Sequence, residues 1–193
     1  MPASNALLTF SQLTELFPNM QTSDQTYYEN LIDQASSRIE IHCERDLAER
    51  IYTDKILDGT GTSELVLPTW PVTSITTLNV DANRDFTSGT VIASTDYNVN
   101  LDTGIITLYS DTFPRQVATV KTTYTAGFAT TNAKWVTLKS ACVELVRWMD
   151  KRYRGDGVGI RSMSGVDGMN TAMEIDLPMN VRSLLMKFIE AHA

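Results

Sequence analysis

The sequence predicts an α+β protein: a small helical bundle with an inserted, mainly antiparallel β-domain and a flexible C-terminal helical tail. Three observations predict it. Apolar residues recur at helical spacing before residue 50 and again after residue 127. Between those limits the helical stripes vanish, threonine becomes dense and apolar residues alternate with polar ones. Five of the ten glycines then lie between residues 155 and 168, ahead of a last apolar stripe.

The elements follow in order. Ser11 can cap a short helix carrying Leu13, Leu16 and Phe17, stopped by Pro18 and Asn19. Thr26 and Glu29 form a candidate capping box for the next helix. That helix sets Tyr28, Leu31, Ile32, Ala35, Ile39 and Cys43 on one stripe, the pattern of a helix packed on one face. Candidate strands are Ile51–Leu57, Glu64–Leu67, Val72–Val80, Thr90–Ala93 and Val117–Tyr124. Tyr97, Val99 and Leu101 alternate with Asp96, Asn98 and Asn100, and Asp102-Thr103-Gly104 then turns the chain into Ile105–Tyr109, a hairpin. Thr131 or Asn132 can cap a long helix bearing Trp135, Leu138, Ala141, Cys142, Leu145 and Met149, ending near Tyr153. Gly155, Gly157, Gly159, Gly165 and Gly168 supply no side chains for a core and predict a hinge loop. Pro178 suits the first turn of a final helix whose stripe is Val181, Leu184, Leu185 and Phe188. So short a helix is not stable alone, and its apolar face needs a surface, on its own domain or on another chain. The divisions are 1–49 for the N-terminal helices, 50–127 for the β-domain, 128–154 for the helix completing the bundle, 155–176 for the loop and 177–193 for the tail.

A net charge of −7 argues against broad, sequence-independent binding of DNA or RNA, which draws on Lys and Arg. Arg147, Lys151, Arg152 and Arg154 are the local exception; they complement the negative end of a helix dipole or meet an acidic partner. Cys43 and Cys142 fall in apolar stripes and read as buried, reduced core residues. The opening MPASNALLTFSQ lacks the basic start and length of a signal peptide, and no apolar run is long enough to span a membrane. The expectation is a protein folded in a cytoplasm.

The sequence offers no catalytic, cofactor or metal site. His42 and His192, the two histidines, have no ligand partner at a recognised spacing. The glycines at 155–159 follow no strand and lack the Lys-Ser/Thr ending of a phosphate loop. Asp102-Thr103-Gly104 matches the triplet of aspartic proteases, where a single copy serves only in a homodimer whose two carboxylates share a proton. The same residues are what a tight hairpin turn wants, and Ile105 departs from the small residue usual after that triplet. A sugar-binding β-module, with Trp70 and Tyr97 as stacking faces, competes with a plain core role for both.

The order of phrases resembles one known family, the head-to-tail connector (adaptor) proteins of tailed bacteriophages, in the long form with a β-domain between the helices. The resemblance runs from about residue 7 to residue 189. It rests on Leu7-Leu8-Thr9, on Leu31-Ile32-Asp33-Gln34-Ala35 through Ile39 to Arg45, and on Leu67-Pro68-Thr69-Trp70-Pro71-Val72 with Ile75 and Leu78. Asp96-Tyr97-Asn98-Val99, Thr103-Gly104-Ile105-Ile106, Tyr124-Thr125-Ala126-Gly127-Phe128 and Leu177-Pro178 follow. The length of the β-region departs from shorter members. The resemblance implies a structural virion protein without enzymatic activity or cofactor. It implies a ring, usually of twelve copies, beneath the portal at the neck, receiving a stopper or tail-completion protein on its other side. DNA would pass through the ring without specific binding, and an acidic lining would repel its phosphates. No membrane is involved. Leu177, Pro178, Val181, Leu184, Leu185 and Phe188 become the expected portal contacts, with the glycine loop as their hinge. A neighbouring neck or tail-completion protein is the alternative role.

Overall fold

The computed structural model describes residues 6–18, 20–87, 89–154, 162–164, 170–172 and 177–189. The chain divides into two compact units, one built from residues 1–46 with 130–193 and the other from residues 47–129.

The first unit is helical. Helix α1 spans Phe10–Leu16 and starts at Thr9, not Ser11. The Thr9 side chain accepts from the Gln12 amide, and Gln12 accepts from the Thr9 amide. Gln12 sits at the third position of the turn, so this reciprocal pair is available to Thr9 and not to Ser11. Helix α2 spans Gln25–Cys43 and follows a single 3₁₀ turn at Thr22–Asp24. The capping box expected at Thr26 and Glu29 is not formed, because the 3₁₀ turn leads the chain into the helix two residues earlier, with Asp24 at the cap position. Glu44 closes α2 in the left-handed conformation. Helix α3 spans Ala133–Arg154; the Asn132 side chain accepts from the Lys134 amide at its start. Helix α4 spans Met179–Leu185.

The apolar stripes of these helices make the core. Tyr28, Leu31, Ile32, Ala35, Ile39 and Cys43 of α2 are buried, as are Trp135, Leu138, Ala141, Cys142, Leu145 and Met149 of α3. Leu7 and Leu8 are fully buried ahead of α1. One polar group joins them: Ser36 accepts from the Leu7 amide at 3.0 Å and lies 3.8 Å from the Cys142 sulfur. A buried hydroxyl without such partners would be costly. Both cysteines are free thiols. Burial pushes the Cys43 thiol up to about 11 and the Cys142 thiol to about 12.

Two short strands fall inside the segment expected to be loop: β8 (Ser162–Ser164) pairs antiparallel with β9 (Asn170–Ala172). A segment poor in apolar side chains can still satisfy backbone groups on itself. The five glycines of the expected hinge lie outside the described residues, as does His192.

The second unit holds seven strands: β1 (Arg50–Leu57), β2 (Glu64–Val66), β3 (Val72–Val80), β4 (Thr90–Val91), β5 (Tyr97–Asn100), β6 (Ile105–Leu108) and β7 (Val120–Ala126). They form two antiparallel sheets, in the orders β1-β7-β3-β4 and β2-β6-β5. Side chains of both sheets meet in one core: Tyr52, Val72, Leu78, Val120 and Tyr124 from the larger, Leu65, Ile106 and Leu108 from the smaller. Tyr52 and Tyr124 stack there with ring centres 5.0 Å apart. Strand β7 begins at Val120, later than expected, because Val117 is exposed and Ala118 takes a positive φ of 59°. The edge strand β1 is bulged between Tyr52 and Lys55, with Asp54 at φ 49°. A charged bulge of this kind blocks edge-to-edge pairing with another sheet. Gly127 has φ 112°, and a Cβ there would lie 2.5 Å from the Ala48 carbonyl oxygen. Only glycine fits.

Candidate docking site

The expected contact residues lie on α4, on the two residues before it and, for Phe188, in the turn that follows it. Among the described residues, α4 packs on α3. Leu177, Pro178, Val181, Leu185 and Phe188 are buried within the chain, and Leu184 is half-buried. The apolar stripe is therefore covered in this conformation by the chain's own helix, and is not left open. Its reverse side carries the exposed apolar groups: Met179 and Met186 are 72% and 71% exposed. The sequence reading found the stripe but could not say what covered it, because a stripe shows which face is apolar and not which neighbour meets it.

The basic cluster at the end of α3 is engaged within its own unit. Arg154 donates to Asp150 at 2.8 Å and to Asp24 at 3.1 Å. Tyr27 and Tyr28 donate to the two oxygens of the same Asp150 carboxylate, at 3.1 and 3.4 Å. Burial and the neighbouring Asp150 carboxylate raise both tyrosines above the ordinary phenol range. The hydrogen bond to Asp24, then Tyr28 and Asp150, hold the Arg154 guanidinium more firmly protonated. Arg147 lies over the Phe17 ring at 5.1 Å and Arg152 over Trp148 at 5.2 Å. The Asp150 and Arg154 contacts tie the end of α3 to the start of α2, and Arg147 ties α3 to the end of α1. They also border a groove of about 950 Å³ whose lining includes Leu13, Phe17, Tyr28, Trp148 and Pro178. Sequence reasoning singled out the arginines but missed Asp24 as a partner, since 130 residues separate it from Arg154.

Among the described residues the enzymatic reading finds no constellation. Asp102 lies exposed in the β5–β6 turn, where Asn100 accepts from the amides of Asp102 and Thr103 and Gly104 adopts φ 70°. These are the demands of a turn. Tyr97 packs against the β-unit's core, and Trp70 is half-buried beside Gly104. Among the described residues no group of three His, Cys, Asp or Glu side chains is placed to hold a metal ion, and no helix is long and apolar enough to cross a membrane.

A search of curated proteins finds no match. Solved structures do match. A neck protein of an empty GTA particle, computed with C6 symmetry, and one of a native GTA particle, computed with C12 symmetry, each align with a TM-score of 0.62 at 17% identity. A chain of the native gene transfer agent virion aligns with a TM-score of 0.60 at 19% identity. Each alignment covers 100% of this chain and 94% of the other, so the whole architecture is shared. The head completion protein family matches residues 6–189, a span that takes in both units. The chain belongs to the head completion protein family, whose members are structural proteins of the head-to-tail connection.

Proposed function

We propose that this protein forms a closed ring beneath the portal, joining the filled head to the tail or stopper, and that it has no catalytic role. The observation that carries this reading is the family match across residues 6–189, on a fold shared end to end with neck proteins. The neck particles were computed with sixfold and twelvefold symmetry, which favours a ring, of twelve copies in the simplest case. Copies in a ring meet through a heterologous contact, so each presents two different surfaces. The stopper or tail-completion protein then seats on the side away from the portal.

In this reading the segment from residue 177 onward makes the portal contact. Leu177, Pro178, Val181, Leu185 and Phe188 are buried on the free chain. Their transfer to the portal requires α4 to leave α3, with residues 155–176 serving as the tether. Docking would then exchange one apolar cover for another, and the net driving force is the difference between the two. Truncation after residue 176 tests this. The shortened chain should still fold its β-unit but fail to co-purify with portal rings. Unchanged portal binding by the shortened chain would remove the tail from the contact and leave the ring proposal standing.

A further inference from the structure

The β-unit leaves apolar side chains exposed on the outer faces of both its sheets. Tyr52, Leu78 and Tyr124 of the larger sheet meet Leu65, Ile106 and Leu108 of the smaller in one core, so alternate residues of each strand point away from it, on opposite sides. On the larger sheet the outward positions include Ile51 beside Thr125, and a row of Ile56, Lys121, Asn79 and Val91 that crosses all four strands. Ile51, Ile56 and Val91 are each more than half exposed. Outside the edge bulge, where Asp54 and Lys55 adjoin, these positions carry one cation, Lys121, and no carboxylate. The Lys121 ammonium lies 5.1 Å over the Phe86 ring.

The smaller sheet has the opposite sign. Its outward rows are Val66 with Ile105 and Glu64 with Thr107, and the Tyr109 amide, donating to the Asp96 carbonyl, adds Tyr109 beside Asp96. Val66 and Tyr109 are more than half exposed. Glu64 and Asp96 are carboxylates, and no cation stands among these residues. Among the described residues, Lys121, Glu64 and Asp96 make no ion pair; Asp96 accepts only from the neutral Thr95 hydroxyl. Each charge is thus left uncompensated on its own sheet. The two faces look in opposite directions, so one chain cannot close either upon the other. The bulge of β1 obstructs pairing along that edge, which leaves stacking of faces as the way two such units meet. Like faces would set Lys121 against Lys121, or Glu64 against Glu64. Unlike faces bring opposite charges together, which favours the head-to-tail contact of a ring over a twofold dimer.

We propose that the outer face of β1-β7-β3-β4 in one copy stacks on the outer face of β2-β6-β5 in the next. Lys121 then meets Glu64 and Asp96 of the neighbouring copy, and Ile56 and Val91 cover its Val66 and Tyr109. The occupant of each face is a second copy because one chain supplies both signs, on back-to-back faces that each expose apolar side chains. Neither face includes a residue of the tail, so the contact is the same whether α4 rests on α3 or has left it. This inference rests on the ring reading and names the surfaces that close the ring.

Charge exchange tests it on the full chain, by native mass measurement over a concentration series, alone and with portal. Lys121→Glu gives a chain acidic on both faces, and Glu64→Lys with Asp96→Lys gives one basic on both. Each alone should shift half-assembly to at least tenfold higher concentration. Their equimolar mixture, and the chain carrying all three changes, should assemble again, and that recovery also establishes that the changed chains are folded. It separates the contact from the Phe86 ring as well, since a loss of that ring contact would persist in the triple variant. If the altered chains assemble like the unmodified one, or if neither the mixture nor the triple variant recovers, the assigned faces are wrong while the ring stands. If the unmodified chain forms no ring with or without portal, the ring reading fails and this contact falls with it.

Discussion

Two thiols carry a pH dependence that can be signed in advance. Cys43 and Cys142 titrate near 9 when exposed but are pushed by burial to about 11 and about 12 in the folded chain. Between those limits the unfolded chain has lost thiol protons that the folded chain retains. Stability is therefore fully present below pH 9 and falls as pH rises through 11 and 12. The raised Tyr27 and Tyr28 phenols act in the same direction. A urea midpoint measured at pH 10.5 should lie below that at pH 8, and Cys43→Ala with Cys142→Ala should narrow the gap. Equal gaps in the parent and the cysteine-free chain would refute the assignment. The burial of these thiols was legible in the sequence because each stands on an apolar stripe. The requirement for Gly127 was not. Its clash is with the carbonyl of Ala48, brought near only when the chain closes the β-unit on itself.

At the scale of elements, periodicity located the four described α-helices and the hairpin, since burial on one face leaves its mark in the order of residues. It failed at the ends. Thr9 replaced Ser11 because a reciprocal partner stood three residues on, and a 3₁₀ turn displaced the expected box at Thr26. Local alternatives of this kind differ by about 1 kcal/mol and leave no periodic trace. The cover over the α4 stripe was equally invisible, being a tertiary choice. That cover makes a measurable claim. Leu185 is fully buried, so Leu185→Ala should cost about 2–5 kcal/mol of the helical unit's stability. Exposed Met186→Ala, one residue along, should leave stability unchanged within about 0.5 kcal/mol. Hydrogen exchange through α4 and chemical denaturation together would read both. Equal, small effects at the two positions would mean that α4 spends little of its time on α3.

For the whole molecule, apolar burial and not charge decides whether the chain folds. The two units draw their stability from apolar cores, in which the buried side chains are almost all uncharged. The arginine–aspartate contacts at the end of α3 are half-exposed and contribute little to folding. Folding should therefore respond weakly to ionic strength. Raising sodium chloride from about 0.1 M to about 1 M shortens the Debye length from about 10 Å to about 3 Å, so exposed ion pairs lose most of their attraction while apolar burial keeps its strength. The urea midpoint of the chain should stay nearly constant across that range. A midpoint that fell steeply with salt would mean that charge pairs, and not the two apolar cores, hold the units together.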